Sequence, residues 1–370
     1  MCIRDSIEAL VTAVEELDAN TVPFFCLRLP DARRGNPGMA QVLENLLRDD
    51  EGRCVVDTLV DVHGMSMTAG VPANADAYPN LGVSVLHALT SYAPRAAWQA
   101  TAQGMGSMDV ATQAAQPEFD GALITKLLAT REVDTVDELT GAVVPRMVPI
   151  PGRAQAMAEL ALSWARLART PAGQRKVAIV FHHHPPRNDR IGCASGLDTF
   201  ESVRQLLIRM ADEGYDVPEQ FETGDDIAQV LLSCLTCDQR WLTPEQMHER
   251  AEAHADLETS RPWYRGLPDS VRECMDRNWG PHPGTLFVHD DEFSFAGHLD
   301  GNVLLTIQPP RGTFEAVTDS AIHDPVLPPP HHYLAHYRWI RDVFKADAVI
   351  HVGTHGSLEW LPGKGLGLSE

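Results

Sequence analysis

The chain has 370 residues, 44% hydrophobic and 22% charged, enough to bury one large core or two ordinary ones. With 51 acidic against 30 basic side chains its formal net charge is −21, a field that repels nucleic acid and anionic membrane surfaces, and Arg33-Arg34 and Arg175-Lys176 are pairs rather than a basic patch. No stretch approaches the roughly 18 uninterrupted apolar residues of a membrane span, and residues 1–6 lack the pattern of a secretory signal, so a cytoplasmic location is expected.

Seven cysteines scattered along the chain fit a reducing compartment better than a disulfide framework. Cys234 and Cys237 form a lone C-x-x-C without a second ligand pair and read as two ordinary buried thiols.

In chain order, residues 7 to about 150 alternate helix-like runs with short apolar strands such as 121–124, separated by Pro- and Gly-bearing loops. Over 153–170, Met157, Leu160, Ala161, Trp164 and Leu167 recur at the spacing of an amphipathic helix, which Pro171-Ala172-Gly173 ends. A first domain over 1–170 and a second over 171–370 are therefore expected. Val177–Phe181 is a continuous apolar run, the pattern of a parallel strand buried on both faces. Asp198 with Glu201 then resembles a helix cap, Val203, Leu206, Leu207 and Met210 share one helical face, and Gly214 closes it. Residues 215–284 are polar, Pro-rich and show no clear period. An apolar strand within 301–312 ends in a rigid turn, and Leu334, Tyr337, Ile340, Val343 and Phe344 predict a helix feeding a strand over 348–351. The whole reads as an α/β chain of mostly parallel sheets flanked by helices.

In open α/β sheets ligands sit at the carboxyl ends of strands, and two predicted strand ends here run into histidines. The first is His182-His183-His184, followed by Pro185-Pro186-Arg187-Asn188. Alternation along a strand lets at most two of the three imidazoles address one site, and for any single one a solvated or core-capping role is the better reading. The second is His351, His355 and Glu359, in a stretch where Gly353 and Gly356 imply a tight loop. Two imidazoles and a carboxylate can hold a divalent ion or move protons near neutral pH, and they can equally bond to backbone. The metalloprotease pattern His-Glu-x-x-His is absent, because Val352 follows His351. Arg311 lies in a turn stiffened by Pro309-Pro310, either as a surface residue or as a two-point clamp for a carboxylate. The glycines of 356–364 are too far apart for a P-loop, and Gly104-Met105-Gly106 lacks the third glycine of a dinucleotide fingerprint.

Four motifs together resemble the family that unites the CobN-type cobaltochelatase large subunit with the H-type large subunit of magnesium chelatase. They are Gln116-Pro117-Glu118-Phe119-Asp120-Gly121; Pro185-Pro186-Arg187-Asn188 through Gly196-Leu197-Asp198-Thr199; residues 302–312; and His351-Val352-Gly353-Thr354-His355-Gly356-Ser357-Leu358-Glu359-Trp360-Leu361-Pro362-Gly363-Lys364. They follow the family's order from about residue 55 to the end. Family members are longer, so the chain is expected to be an internal fragment truncated at its C-terminal end, with residues 1–6 foreign to the gene. The resemblance implies a subunit that binds a tetrapyrrole and a divalent metal substrate, Co2+ or alternatively Mg2+. It also implies an AAA+ ATPase subunit and a metal-ion-adhesion-type subunit as partners, the ATPase hydrolysing the ATP, which agrees with the missing P-loop. Trp360 and the 185–192 stretch look more like the cobalt enzymes.

For a chain of this kind, metal insertion needs proton acceptors and metal ligands, and His355 with Glu359 are expected as the former and His351 with His182 as the latter. Glu118, Arg187, Asn188, Asp198, Gln308, Arg311 and Lys364 become contacts to the macrocycle. Alternatives are the H-type large subunit of magnesium chelatase, which would place magnesium in protoporphyrin, and a tetrapyrrole-binding module without insertion activity. Each version requires the imidazoles and the carboxyl group, delivered by separate loops, to meet at one cavity.

Overall fold

A computed structural model describes residues 4–66, 78, 81–312, 323–356 and 358–368, without the side chains of Asp134, Thr135 and Glu359. Contacts divide the chain into two compact units, Met1–Arg169 with Gly363–Glu370, and Thr170–Pro362.

The first unit contains α1 (Arg4–Glu16), α2 (Met39–Leu47), β1 (Thr58–Asp61), β2 (Ser84–Ser91) and α3 (Arg95–Ala100). Then α4 (Ser107–Asp109) runs through a π-helical turn into α5 (Gln116–Phe119), followed by β3 (Leu123–Val136), β4 (Val143–Pro149) and α6 (Arg153–Arg169). The sheet order is β1-β2-β3-β4, with β1, β2 and β3 parallel and β4 antiparallel. Leu86 and Ala88 of β2 pack with Leu10, Met157 and Ala161, so α1 and α6 cover one face, while Val85 joins Leu43 and Leu47 of α2. That alternation is the period-2 geometry of a strand buried on both sides. The strand expected over 121–124 is only the start of β3, whose far half forms an exposed ribbon with β4 through Val133, Val136, Val143 and Val144.

The second unit runs β5 (Val177–Phe181), α7 (Thr199–Asp212), α8 (Gly224–Ser233), α9 (Pro244–Arg250), β6 (Ala253–Asp256), α10 (Leu257–Arg265), α11 (Asp269–Trp279), β7 (Val288–His289), β8 (Glu292–Phe295), β9 (Gly297–Asp300), β10 (Val303–Ile307), α12 (His331–Trp339) and β11 (Ala348–Val352). Its main sheet has the order β11-β5-β10-β9, the first three parallel and β9 an antiparallel edge; β6-β8-β7 form a separate antiparallel sheet. Val177, Ile179 and Phe181 face Val203, Leu207, Ile227 and Leu231 of α7 and α8, while Ala178 and Val180 face Trp339 and Ile340. Each fully buried Val, Ile or Phe in this layer contributes about 1.5–3 kcal/mol. Asp198 caps α7, accepting from the Glu201 N–H at 3.1 Å, and Gly214 beyond its end has φ +83°. Among the described residues no helix is long and apolar enough to cross a membrane.

Ile340 and Phe344 are buried as expected, but the helix before them departs from its expected face. Leu334 and Tyr337 of α12 are only half-buried, whereas His332, Ala335, His336 and Trp339 point inward. The imidazoles are tolerated there because they find partners: His332 Nε2 donates to the Ser294 carbonyl at 3.0 Å, and His336 Nε2 lies 3.3 Å from Thr306 Oγ1. Burial pushes His332 down to about 4, so it is neutral near pH 7.

Candidate functional site

Strands β5, β10 and β11 are parallel, so their carboxyl ends share one edge, and β5 lies between the other two where the chain order reverses. Each ladder is extended by one bond past its last strand residue: His182 N donates to Val352 O at 2.8 Å, and Gln308 N donates to Phe181 O at 3.0 Å. These bonds fix His182 and Gln308 side by side on the rim of the sheet. Beside them the end of β11 must pass very close to His182. A Cβ on Gly353 would lie 2.2 Å from the Cβ of His182, and Gly353 has φ +144°, so only glycine fits.

Past Gly353, Thr354 Oγ1 donates to the Cys193 carbonyl at 2.9 Å, and the loop returns His355 to the rim. The His355 and His182 rings stand edge to face with centroids 5.2 Å apart. Trp360 packs 5.6 Å from His355, its indole N–H 3.4 Å from His355 Nδ1; the same Nδ1 is 3.0 Å from the Gly356 carbonyl. A carbonyl only accepts and an indole N–H only donates, so the two contacts serve opposite states of Nδ1, protonated toward Gly356 and unprotonated toward Trp360.

Arg311 is 2% exposed rather than on the surface. Its Nη1 donates to Trp360 O at 2.8 Å and its Nη2 to Leu327 O at 2.9 Å, which holds the Trp360 turn in place. Burial lowers its pKa, opposed by Tyr333 and Asp324. Gln308 is also 2% exposed, and its Oε1 has no partner among the described residues.

The other candidate residues lie elsewhere or serve their own loops. His351 belongs to β11, opposite Val180, and its ring lies 6.0 Å from Tyr337 of α12. The backbone of Glu359 forms a short 3-10 turn, Leu358–Trp360; its side chain lies outside the described residues. Arg187 makes a two-point contact with Asp189 at 2.9 Å for both bonds. Asn188 accepts from Thr236 Oγ1 at 2.7 Å and donates its N–H to Asp238 at 3.1 Å. Asp198 is the α7 cap already described. His183 donates to the Arg187 carbonyl at 2.9 Å, and burial, outweighing that bond and Asp238, pushes it down to about 4. Glu118 is exposed on α5, and Lys364 donates to the carbonyls of Gln99 and Thr101 at 3.2 and 2.7 Å; both belong to the first unit.

Sequence reasoning passed over a buried polar cluster in that first unit. Asp61, at the end of β1, accepts from His63 at 2.8 Å and lies 3.3 Å from His87 Nδ1 on β2. Burial pushes the Asp61 carboxyl up, but the bonds from His63 and His87 outweigh it and hold it well below the usual carboxylate range. His63 is raised, chiefly by its hydrogen bond to Asp61. The only sequence signal was an Asp-x-His at a strand end.

The His182–His355 pair is the arrangement able to do chemistry at the sheet edge. His355 is exposed, and two imidazoles in contact can accept a proton or hold a borderline divalent ion.

The sequence profile of the CobN/Magnesium Chelatase family matches residues 3–370. An uncharacterised protein of Methanocaldococcus jannaschii is 35% identical over 99% of the chain and 30% of its own length. The aerobic cobaltochelatase subunit CobN of Sinorhizobium sp is 31% identical over 98% of the chain and 27% of its own length. The solved catalytic subunit of cobaltochelatase from Mycobacterium tuberculosis superposes with a TM-score of 0.78 at 33% identity, over 99% of the chain and 30% of that subunit. The chain thus spans about three tenths of the length of the relatives it matches.

Proposed function

The chain belongs to the CobN/Magnesium Chelatase family of metal chelatase large subunits, and from this premise we propose that it is part of a tetrapyrrole-binding subunit that inserts cobalt into a corrin-ring precursor, with ATP hydrolysed by an AAA+ partner and a metal-ion-adhesion-type subunit completing the complex. Cobalt is favoured by the CobN and cobaltochelatase relatives and by Trp360 after Glu359. The observation that carries the reading is the contact of His182 with His355 at the carboxyl edge of the parallel sheet, braced by Trp360.

Insertion requires two pyrrole N–H protons to leave while a hydrated cation sheds water. Bases must come within about 3 Å of those protons. In this reading His355, with Glu359 from the following turn, accepts them. His355 suits the task because an Nδ1–H donated to the Gly356 carbonyl leaves the lone pair of the neutral ring on Nε2, the nitrogen that accepts the pyrrole proton. His182 receives the ion, whereas His351, paired with Val180 and turned toward Tyr337, is left outside this role. Arg311 acts as a positioning residue, fixing Trp360 through its carbonyl.

The test is Glu359→Gln in the full-length subunit with its partners. Cobalt insertion should be lost while tetrapyrrole binding stays within a few-fold of wild type. Equal loss of both contradicts the role of Glu359 as a base.

A further inference from the structure

The small antiparallel sheet of the second unit carries a set of side chains that the chelatase reading does not use. In its register His254 pairs with Ser294, Asp256 with Glu292, and His289 with Glu292. Strand alternation therefore puts His254, Ser294, Glu292 and His289 on one face, because directly paired residues share a face and Glu292 and Ser294 are two apart. The opposite face, with Ala253, Ala255, Phe293 and Phe295, is packed into the core.

Helix α9 lays His248 over the polar face. Its ring lies 4.5 Å from that of His254 and 5.4 Å from that of His289. His248 Nδ1 is 3.3 Å from Ser294 Oγ, and His248 Nε2 is 3.7 Å from Glu292 Oε2, beyond a hydrogen bond. His254 Nε2 is 2.9 Å from the Ala251 carbonyl. A carbonyl only accepts, so Nε2 bears the hydrogen and Nδ1 of the neutral ring bears a lone pair. That Nδ1 is buried and has no hydrogen-bond partner among the described residues. An imidazole that gives one N–H to backbone and turns its other nitrogen to its neighbours is oriented as metal-ligating histidines are. Ligand atoms of His248, His254 and Glu292 all lie within 4.8 Å of one another.

We propose that His248, His254 and Glu292, with His289 beside them, form a binding site for a divalent transition ion such as Zn2+ or Co2+. Imidazole nitrogens select such ions over Mg2+ or Ca2+, which prefer all-oxygen ligands. His248, His289 and Glu292 keep 30%, 30% and 36% of their side-chain surface, so the ion exchanges with solvent and water completes its shell. A second compact cluster among the described residues, Cys234, Glu252 and His298, is a weaker candidate because its atoms already bond one another: Cys234 to Glu252 at 3.2 Å, and His298 to Glu252 and Glu219 at 3.0 Å each. Burial and then Glu252 push the Cys234 thiol up to about 11, so it is not a thiolate ligand near pH 7. The proposed site is independent of the chelatase reading, since it uses none of its residues.

The test is calorimetric titration of the full chain, stripped with a chelator, with Zn2+ and separately with Co2+. His248→Ala should bind one equivalent fewer than wild type, and Glu292→Gln should weaken that equivalent by at least the roughly 10–100-fold that loss of an outer-shell partner costs. Circular dichroism of the metal-free variants checks their fold. If His248→Ala does not fold, the half-exposed Glu292→Gln decides alone. Unchanged stoichiometry and affinity in the folded variants overturns the site, as does loss of the same equivalent in His298→Ala or in His182→Ala/His355→Ala instead.

Discussion

Gly353→Ala probes the crossing that brings the two histidine loops together. The new Cβ would lie 2.2 Å from His182 Cβ and 3.2 Å from its Cγ. His182 cannot rotate away, because the clash is with its Cβ, and its backbone is held by Val352 O at 2.8 Å and Gly192 N at 2.7 Å. Overpacking of this kind costs about 1–3 kcal/mol, and a non-glycine residue forced to φ +144° costs about 1–3 kcal/mol more. Gly363→Ala separates the two effects, since Gly363 has φ +142° and nothing within 4 Å of the added atom. Urea unfolding followed by circular dichroism should show a distinctly larger midpoint loss for Gly353→Ala. With a slope of about 1–3 kcal/mol/M the clash alone shifts the midpoint by roughly 1 M. Equal losses in the two variants refute the close approach.

Arg311→Met leaves the Trp360 and Leu327 carbonyls without donors and should destabilise by about 3 kcal/mol, with faster amide exchange around 358–362, measured by unfolding and hydrogen exchange. Asp198→Ala removes the α7 cap and should cost about 1 kcal/mol in the same unfolding assay. Asp61→Asn breaks a buried pair and should cost about 3 kcal/mol. The pair also sets a pH window. His63 is raised, so its contribution is complete below about 6.5 and lost as pH rises through its folded value; Asp61 is lowered, so its contribution is present above about 3.9 and lost as pH falls. Denaturation across pH should therefore show a stability maximum between those limits that flattens in Asp61→Asn.

The sequence made β5, α7 and its Asp198 cap, α6 and β11 legible because each has a clean period or cap. Residues 215–284 looked unreadable, yet three of their helices begin at ordinary signals: Thr223 with Asp226, Thr243 with Gln246 behind Pro244, and Asp256 with Thr259. Their short length and polar surface hid the hydrophobic period that normally confirms such caps. Helix α12 misled for the opposite reason, since its inward face is partly imidazole, which pattern reading counts as polar.

At the site, strand ends followed by histidine were visible in sequence, and His182 and His355 do meet. What spacing could not show is where each side chain goes once the backbone is fixed. His351 is inside a strand, so alternation and its pairing with Val180 turn it toward Tyr337. Arg187 and Asn188 are engaged by Asp189, Thr236 and Asp238, neighbours no motif marked. The His248–His254–Glu292 face escaped notice because its members come from three short elements spread over 248–292.

The central claim is that a tetrapyrrole binds where His182 and His355 meet. Absorbance titration of the full-length subunit with a corrin-ring precursor and with protoporphyrin tests it directly, comparing wild type with His182→Ala/His355→Ala. Saturable binding that favours the corrin precursor and weakens at least tenfold in the variant is the predicted result. Superimposable curves for wild type and a folded variant would contradict it.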